Sequence, residues 1–264
     1  MFFFIYDFPV WLFLVVFVGC FVVFAVVGLA FFRRMARRLF GPEPHWSDLV
    51  HLLFESCVAF YSLLLALLAV VTYQNYAHAE QTVTEEASAL SVLYRDIAGF
   101  PPPYREPLRK ELRNYTRYVV DEAWPEQRRG TVPMEGVSRT SKFQKMLFEV
   151  EPKTTQERLL QSTSIAQFNA FVAARRARLD AIPTHLPQIL WIILVLGMLI
   201  SIAVTWFLPV ERTRPHAAVC VTYTIISSLV LSLVAAMDYP FRGALSVSPR
   251  PFELLLATVM ASAG

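Results

Sequence analysis

Charge is scarce in this chain and unevenly placed. Only 17% of its 264 residues are Asp, Glu, Lys or Arg, against 55% hydrophobic, and the mean hydropathy is +0.45. Those values exclude an ordinary soluble domain, in which about a quarter of the residues are charged. The net charge of +3 comes without the dense basic stripe that nucleic-acid binding needs, so no nucleic acid is expected as a partner. Cysteine is nearly missing. Cys20, Cys57 and Cys220 all fall in apolar runs, which excludes a disulfide framework outside the membrane. Enzyme signatures are missing too: there is no Walker loop, dinucleotide fingerprint, H-E-x-x-H or G-x-S-x-G. The histidines, His45, His51, His78, His185 and His216, are scattered without metal-ligand spacing. No enzyme activity, catalytic residue, metal site or cofactor is therefore expected. A cleavable signal peptide is also not expected, because residues 1–10 carry no Lys or Arg and the apolar run that follows is far too long.

What charge there is gathers in one block. Residues 75–187 hold 16 of the 24 Lys+Arg and 14 of the 21 Asp+Glu, so the chain reads apolar, polar, apolar. The organising stretch is His51–Ile97. It starts as LLFESCVAFYSLLLALLAVVTY and continues, with no Gly or Pro to stop it, into QNYAHAEQTVTEEASALSVLYRDI. As one helix it would be about 70 Å long, and a bilayer core takes up about 30 Å of that. The expected fold is an all-α membrane protein. It has four transmembrane helices and a helical soluble domain inserted between the second and third, with the second span continuing into that domain.

Five segments follow. Residues 1–52 form an interfacial segment (MFFFIYDF, anchored by Tyr6 and Trp11), a first span near Val10–Phe32 and a basic loop. Residues 53–74 are the second span, and 75–187 are the helical domain. Residues 188–237 hold the third and fourth spans, about Gln188–Phe207 (ended by Pro209) and Ala217–Met237. Residues 238–264 form a turn and an interfacial C-terminal helix. Gly19 and Gly28 are candidate close-packing points of the first span, and Ser47 or Asp48 is the expected cap of the second helix. Arg33, Arg34, Arg37 and Arg38 follow the first span, and Arg212 and Arg214 follow the third. By the positive-inside rule these loops are cytoplasmic. The protein is thus expected in the inner membrane of a bacterium, with the helical domain outside the cytoplasm. Arg175, Arg176 and Arg178, close to the third span, run against that asymmetry.

Within the domain, Ala79, Val83, Ala87, Leu90, Tyr94 and Ile97 recur on one helical face, as do Tyr104, Leu108, Leu112, Tyr115 and Val119. Residues 124–136 read as a loop. Helices are expected near 138–149 and 153–182, the latter with a small-residue face (Thr163, Ala166, Ala170, Ala173, Ala177) that favours close helix approach, beside an apolar one (Ile165, Phe168, Val172, Leu179).

Few residues point to a pathway through the membrane. His51 and Glu55 lie four apart at the start of the second span, where they suit a metal or a proton relay as well as a plain solvated entrance. An ionisable group such as Glu55 avoids lipid and faces protein or water; repeated around a pore mouth it would favour cations. Ser62 and Ala66 continue the same line, and Gln74 and Asn75 end it. On the fourth span Thr224, Ser228 and Ser232 make a hydroxyl stripe that fits either a pathway or helix packing. Asp238 closes that span, with Arg242 or a domain arginine as its expected partner.

Three motifs resemble the bestrophin-like family of bacterial membrane proteins. They are an E-A-x-x-L-x-x-L-Y-R segment (Glu86, Ala87, Leu90, Leu93, Tyr94, Arg95), a W-P pair (Trp124, Pro125), and a D-x-P-F-x-G turn (Asp238, Pro240, Phe241, Gly243). The resemblance covers about 50–255. It implies four spans and, by analogy with bestrophins, a homo-oligomer, pentameric in that group, that conducts inorganic ions through a lipid bilayer. The bestrophin pore-neck signature is not found here, and the bestrophin helical domain is cytosolic, opposite to the arginine pattern above. No functional residue is carried over. Two readings stand side by side: an ion channel lined by the second span, and a non-conducting sensor or scaffold acting through the helical domain, with Glu80, Glu86, Arg95 and Arg113 as its polar cluster. A transporter ranks third, because no span is broken at mid-membrane by Gly or Pro.

Overall fold

The computed structural model describes residues 9–40, 44–208, 210, 212–243 and 245–261. The expected anchor Tyr6, the Gly41–Glu43 turn and Pro209 lie outside them, as do the side chains of Arg34, Arg37 and Arg38. Among the described residues the regular structure is all helical. The elements are α1 (Val10–Phe40), α2 (Pro44–Asp96), α3 (Pro102–Tyr118), α4 (Trp124–Arg128), α5 (Gly136–Phe148), α6 (Thr155–Ala181), α7 (Gln188–Thr205), α8 (Thr213–Met237) and α9 (Arg250–Ala257). Among the described residues four helices are long and apolar enough to cross a membrane: α1, α2, α7 and α8.

α2 runs unbroken for 53 residues, about 80 Å, and starts a turn before the expected Ser47 or Asp48 cap. Pro44 suits that start, since its missing N–H would be unpaired in a first turn anyway. The chain divides into two compact units along α2. One holds residues up to Gln74 with His185–Asp238; the other holds Asn75–Thr184 and the segment from Tyr239 on.

In the first unit α1 packs on α8 and α7, and α7 on α8. Ala25, Leu29, Leu194, Met198, Ile202, Trp206, Cys220, Leu231 and Val234 form its core with Tyr61, Leu65 and Leu68 of α2. Gly28 makes room for Trp206: a β-carbon there would overlap the indole ring. The indole N–H donates to the Ala25 carbonyl at 3.0 Å, and its ring stacks on Phe32 at 5.1 Å. Gly19 faces open space instead.

In the second unit the expected face of α2 is buried throughout, from Ala79 to Ile97, and so are Leu108, Leu112, Tyr115 and Val119. The loop expected at 124–136 begins as helix. A π-type turn, Val119–Ala123, leads from α3 into α4, and Pro125 fits because it falls in the first turn. α6 starts on a capping box, in which Thr154 accepts from the Glu157 N–H and the Glu157 carboxylate reaches back to the Thr154 N–H. Its expected apolar face packs on the core, with Phe168 buried and Ile165, Val172 and Leu179 partly so, whereas the small-residue face does not. Thr163, Ala166, Ala170 and Ala173 are exposed, and the buried side is Ser164, Phe168, Phe171, Arg175 and Arg178. The two phenylalanines offer more apolar area than the alanines, and Arg178 is carried in with them because its guanidinium pairs with Glu86 there.

Candidate functional site

The membrane half of α2 has three sides. Tyr61, Leu65, Leu68 and Thr72 are buried within the first unit, and Tyr61 packs so closely on Gly197 of α7 that a β-carbon there would stand 2.9 Å from its ring. Leu53, Phe60, Leu63, Leu67 and Val71 are exposed and bulky, the composition that lipid favours. The third side is exposed as well but small or polar: His51, Glu55, Ala59, Ser62 and Ala66. Steps of three and four residues set these five one above another.

The expected pathway residues thus divide between two surfaces. His51, Glu55, Ser62 and Ala66 share this exposed line. Thr224, Ser228 and Ser232 are fully buried, and their hydroxyls are spent within α8: Thr224 donates to the Cys220 carbonyl at 2.8 Å, Ser228 to Thr224 at 2.6 Å and Ser232 to Leu229 at 2.7 Å. Such back-bonding satisfies a hydroxyl in an apolar interior. Among the described residues no three His, Cys, Asp or Glu side chains gather as a metal site.

Most of the family-motif residues, though not Asp238, belong to the second unit. Glu86 is fully buried. Its carboxylate accepts from the Tyr115 hydroxyl at 2.6 Å and from Arg178, whose Nε donates at 2.5 Å and Nη2 at 3.4 Å. The Arg178 guanidinium also lies 5.7 Å from the ring centres of both Trp124 and Phe252. Trp124 meets Phe241 edge-on at 5.9 Å and Phe252 at 6.1 Å. Ala87, Leu90 and Tyr94 line the same core, whereas Arg95 is exposed. Burial works against charge on Arg178, but Glu86 and Tyr115 hold its proton above the ordinary guanidinium range. Burial, with the Glu86 charge beside it, pushes the Tyr115 phenol well above its ordinary value, so it stays a donor.

Glu80, Glu86, Arg95 and Arg113 are therefore not one polar cluster. Glu86 pairs with Arg178 across the core, and Arg113 lies 3.7 Å from Glu106 and 3.4 Å from the Tyr94 hydroxyl. Arg178 went unrecognised as a site residue, although its spacing from Phe168, Phe171 and Arg175 places it on the buried stripe of α6.

The D-x-P-F-x-G turn has a distinct job for each residue. The Asp238 carboxylate, which was expected to pair with an arginine, accepts from the Leu186 N–H at 2.7 Å and the Trp191 indole N–H at 2.9 Å. It thereby ties the end of α8 to the entry of α7. The Pro240 carbonyl accepts from Val247 N–H at 2.8 Å, and Phe241 enters the Trp124 core. Gly243 adopts a φ of +78°, where a side chain would be strained. Arg242 donates to the Arg129 carbonyl.

A family model for the bestrophin-like domain matches residues 8–252. No curated protein matches the chain. Among solved structures, a variant of a bacterial bestrophin homolog from Klebsiella pneumoniae has the same fold. It is 10% identical, with a TM-score of 0.74, over 95% of this chain and 99% of that one. A single-substitution variant of a membrane protein is 10% identical as well, with a TM-score of 0.67, over 94% of this chain and 96% of that one. The match to nearly the whole length, four apolar helices and the convergence of the three motifs lead to one assignment: the chain is a multi-pass membrane protein and belongs to the bestrophin-like family.

Proposed function

We propose that this chain is the subunit of a homo-oligomeric ion channel of bestrophin type, with passive conduction along a pore lined by the second span. The observation that carries this reading is the three-sided surface of α2. A helix surrounded by its own bundle and lipid would need one buried and one bulky apolar side. The third side, from His51 and Glu55 to Ser62 and Ala66, fits neither. A glutamate is costly against hydrocarbon, and small side chains leave room along an axis shared by several copies. Repeated by symmetry, the line gives a ring of carboxylates at one mouth and a small, weakly polar passage beyond it, where hydrophobic constriction can gate flow. Thr224, Ser228 and Ser232 take no part, since each is buried within its subunit and bonded within its helix.

The assembly is a pentamer on the family analogy, set in the lipid of a bacterial inner membrane, and inorganic ions are its only cargo. The arginines after the first and third spans support a helical domain outside the cytoplasm. No chemistry is catalysed.

Single-channel recording of the purified protein in planar bilayers, under asymmetric KCl, tests the reading. Discrete currents whose reversal potential shifts in Glu55→Gln are expected, and the direction gives the sign of the favoured ion. Silence of a folded oligomer across voltage, pH and membrane tension would sink the channel and leave the scaffold reading.

A further inference from the structure

The second unit holds a pocket that conduction does not use. It is open, about 400 Å³ in volume, and lined by Tyr94, Arg95, Arg109, Thr258 and Val259. That volume falls in the range of small-molecule sites. Its walls come from the end of α2, the middle of α3 and the turn after α9.

The charges that line it are basic. Arg95 is exposed, with no ion pair or hydrogen bond among the described residues. The Arg109 guanidinium lies 4.9 Å over the Tyr94 ring. That contact fixes its plane, and its Nε is buried without a hydrogen-bond partner. Arg113 donates to the Tyr94 hydroxyl behind it at 3.4 Å. The carboxylate paired with two of these guanidinium groups is Glu106, well exposed and 3.9 Å from Arg109 and 3.7 Å from Arg113, and Asp96 follows Arg95 in the chain. A buried donor without a partner is rare and costly in a folded protein, and a fixed guanidinium fork matches the two oxygens of a phosphoryl or carboxylate group. Val259, Thr258 and Tyr94 line the pocket beside the charge.

We propose that this pocket binds a small organic oxyanion, held by Arg95 and Arg109 and bearing a phosphoryl or carboxylate group. Tyr94 acts as the platform that sets the Arg109 plane. Arg95 lies about 30 Å along α2 from the end of the second span, beyond the reach of lipid headgroups, so the anion is a soluble one. Tyr94 and Arg95 are the last two residues of the E-A-x-x-L-x-x-L-Y-R motif, and the assignment gives Arg95, the motif's one exposed member, a role that packing does not.

Titration calorimetry of the full chain in detergent, with inorganic pyrophosphate as the probe and ionic strength held constant with KCl, tests it. Saturable binding is expected, weakened at least ten-fold in Arg95→Ala and in Arg109→Gln and unchanged in Arg176→Ala, a charge-matched control on the exposed side of α6. Arg95→Ala removes only an exposed side chain, so it keeps the test valid should Arg109→Gln fold poorly. Absence of saturable binding, or equal binding by wild type and Arg95→Ala, overturns the proposal.

Discussion

Replacing Arg178 with methionine would leave the Glu86 carboxylate fully buried, with only the Tyr115 hydroxyl to satisfy it. Breaking a buried ion pair from one side costs about 3–5 kcal/mol, because the remaining charge keeps its desolvation penalty and loses its counter-ion. Glu86→Gln should cost a similar amount by stranding Arg178. The double variant, Glu86→Gln with Arg178→Met, leaves neither partner of the pair as an uncompensated charge, and its loss should be far below the sum of the two single losses. At about 3 °C per kcal/mol for a unit of this size, each single change lowers the thermal midpoint by about 10–15 °C. Thermal scans of the full chain in one detergent, at one scan rate, measure this, with helical circular dichroism as the signal. A single-variant shift under about 3 °C, or additive losses in the double variant, would refute the reasoning. Either result would mean that water reaches the pair or that it is not formed.

Tyr115 adds a pH dependence. Its phenol is raised in the folded protein, so its contribution is fully present below the ordinary tyrosine value of about 10 and is lost as pH rises through the folded value. Alkaline scans should show a fall in midpoint above pH about 10 that is smaller in Tyr115→Phe. Asp238→Ala leaves the Leu186 N–H and the Trp191 indole N–H without their acceptor, at about 1–3 kcal/mol for each group. Asp238→Asn, which keeps one acceptor oxygen, should recover about half in the same scans. Gly28→Leu would drive a side chain into the Trp206 ring and cost about 1–3 kcal/mol by overpacking. Gly19→Leu, facing open space, should leave the midpoint unchanged.

The class of the fold was legible in the residues alone because a bilayer leaves few choices. Apolar runs must be helical where no water can satisfy the backbone, and no breaker stands between Pro44 and Asp96. The faces of α2 and α3 followed from periodicity, since steps of three and four put Ala79 to Ile97 and Leu108 to Val119 on one side. Periodicity says which residues share a side but not which side is buried when two compete. On α6 the alanine side and the phenylalanine side were equally regular, and tertiary packing chose the one that buries more apolar area. That choice took Arg178 into the core and brought Glu86 of α2, 92 residues away in sequence, to meet it. The same holds for Asp238, whose partners are a backbone N–H and an indole that no charge pattern could reveal, and for the serines of α8, whose burial depends on where α1 and α7 pack. Local sequence thus determined the helices and their amphipathic sides. Which polar groups became partners was decided by the tertiary structure, because pairing across a core depends on distances that only packing sets.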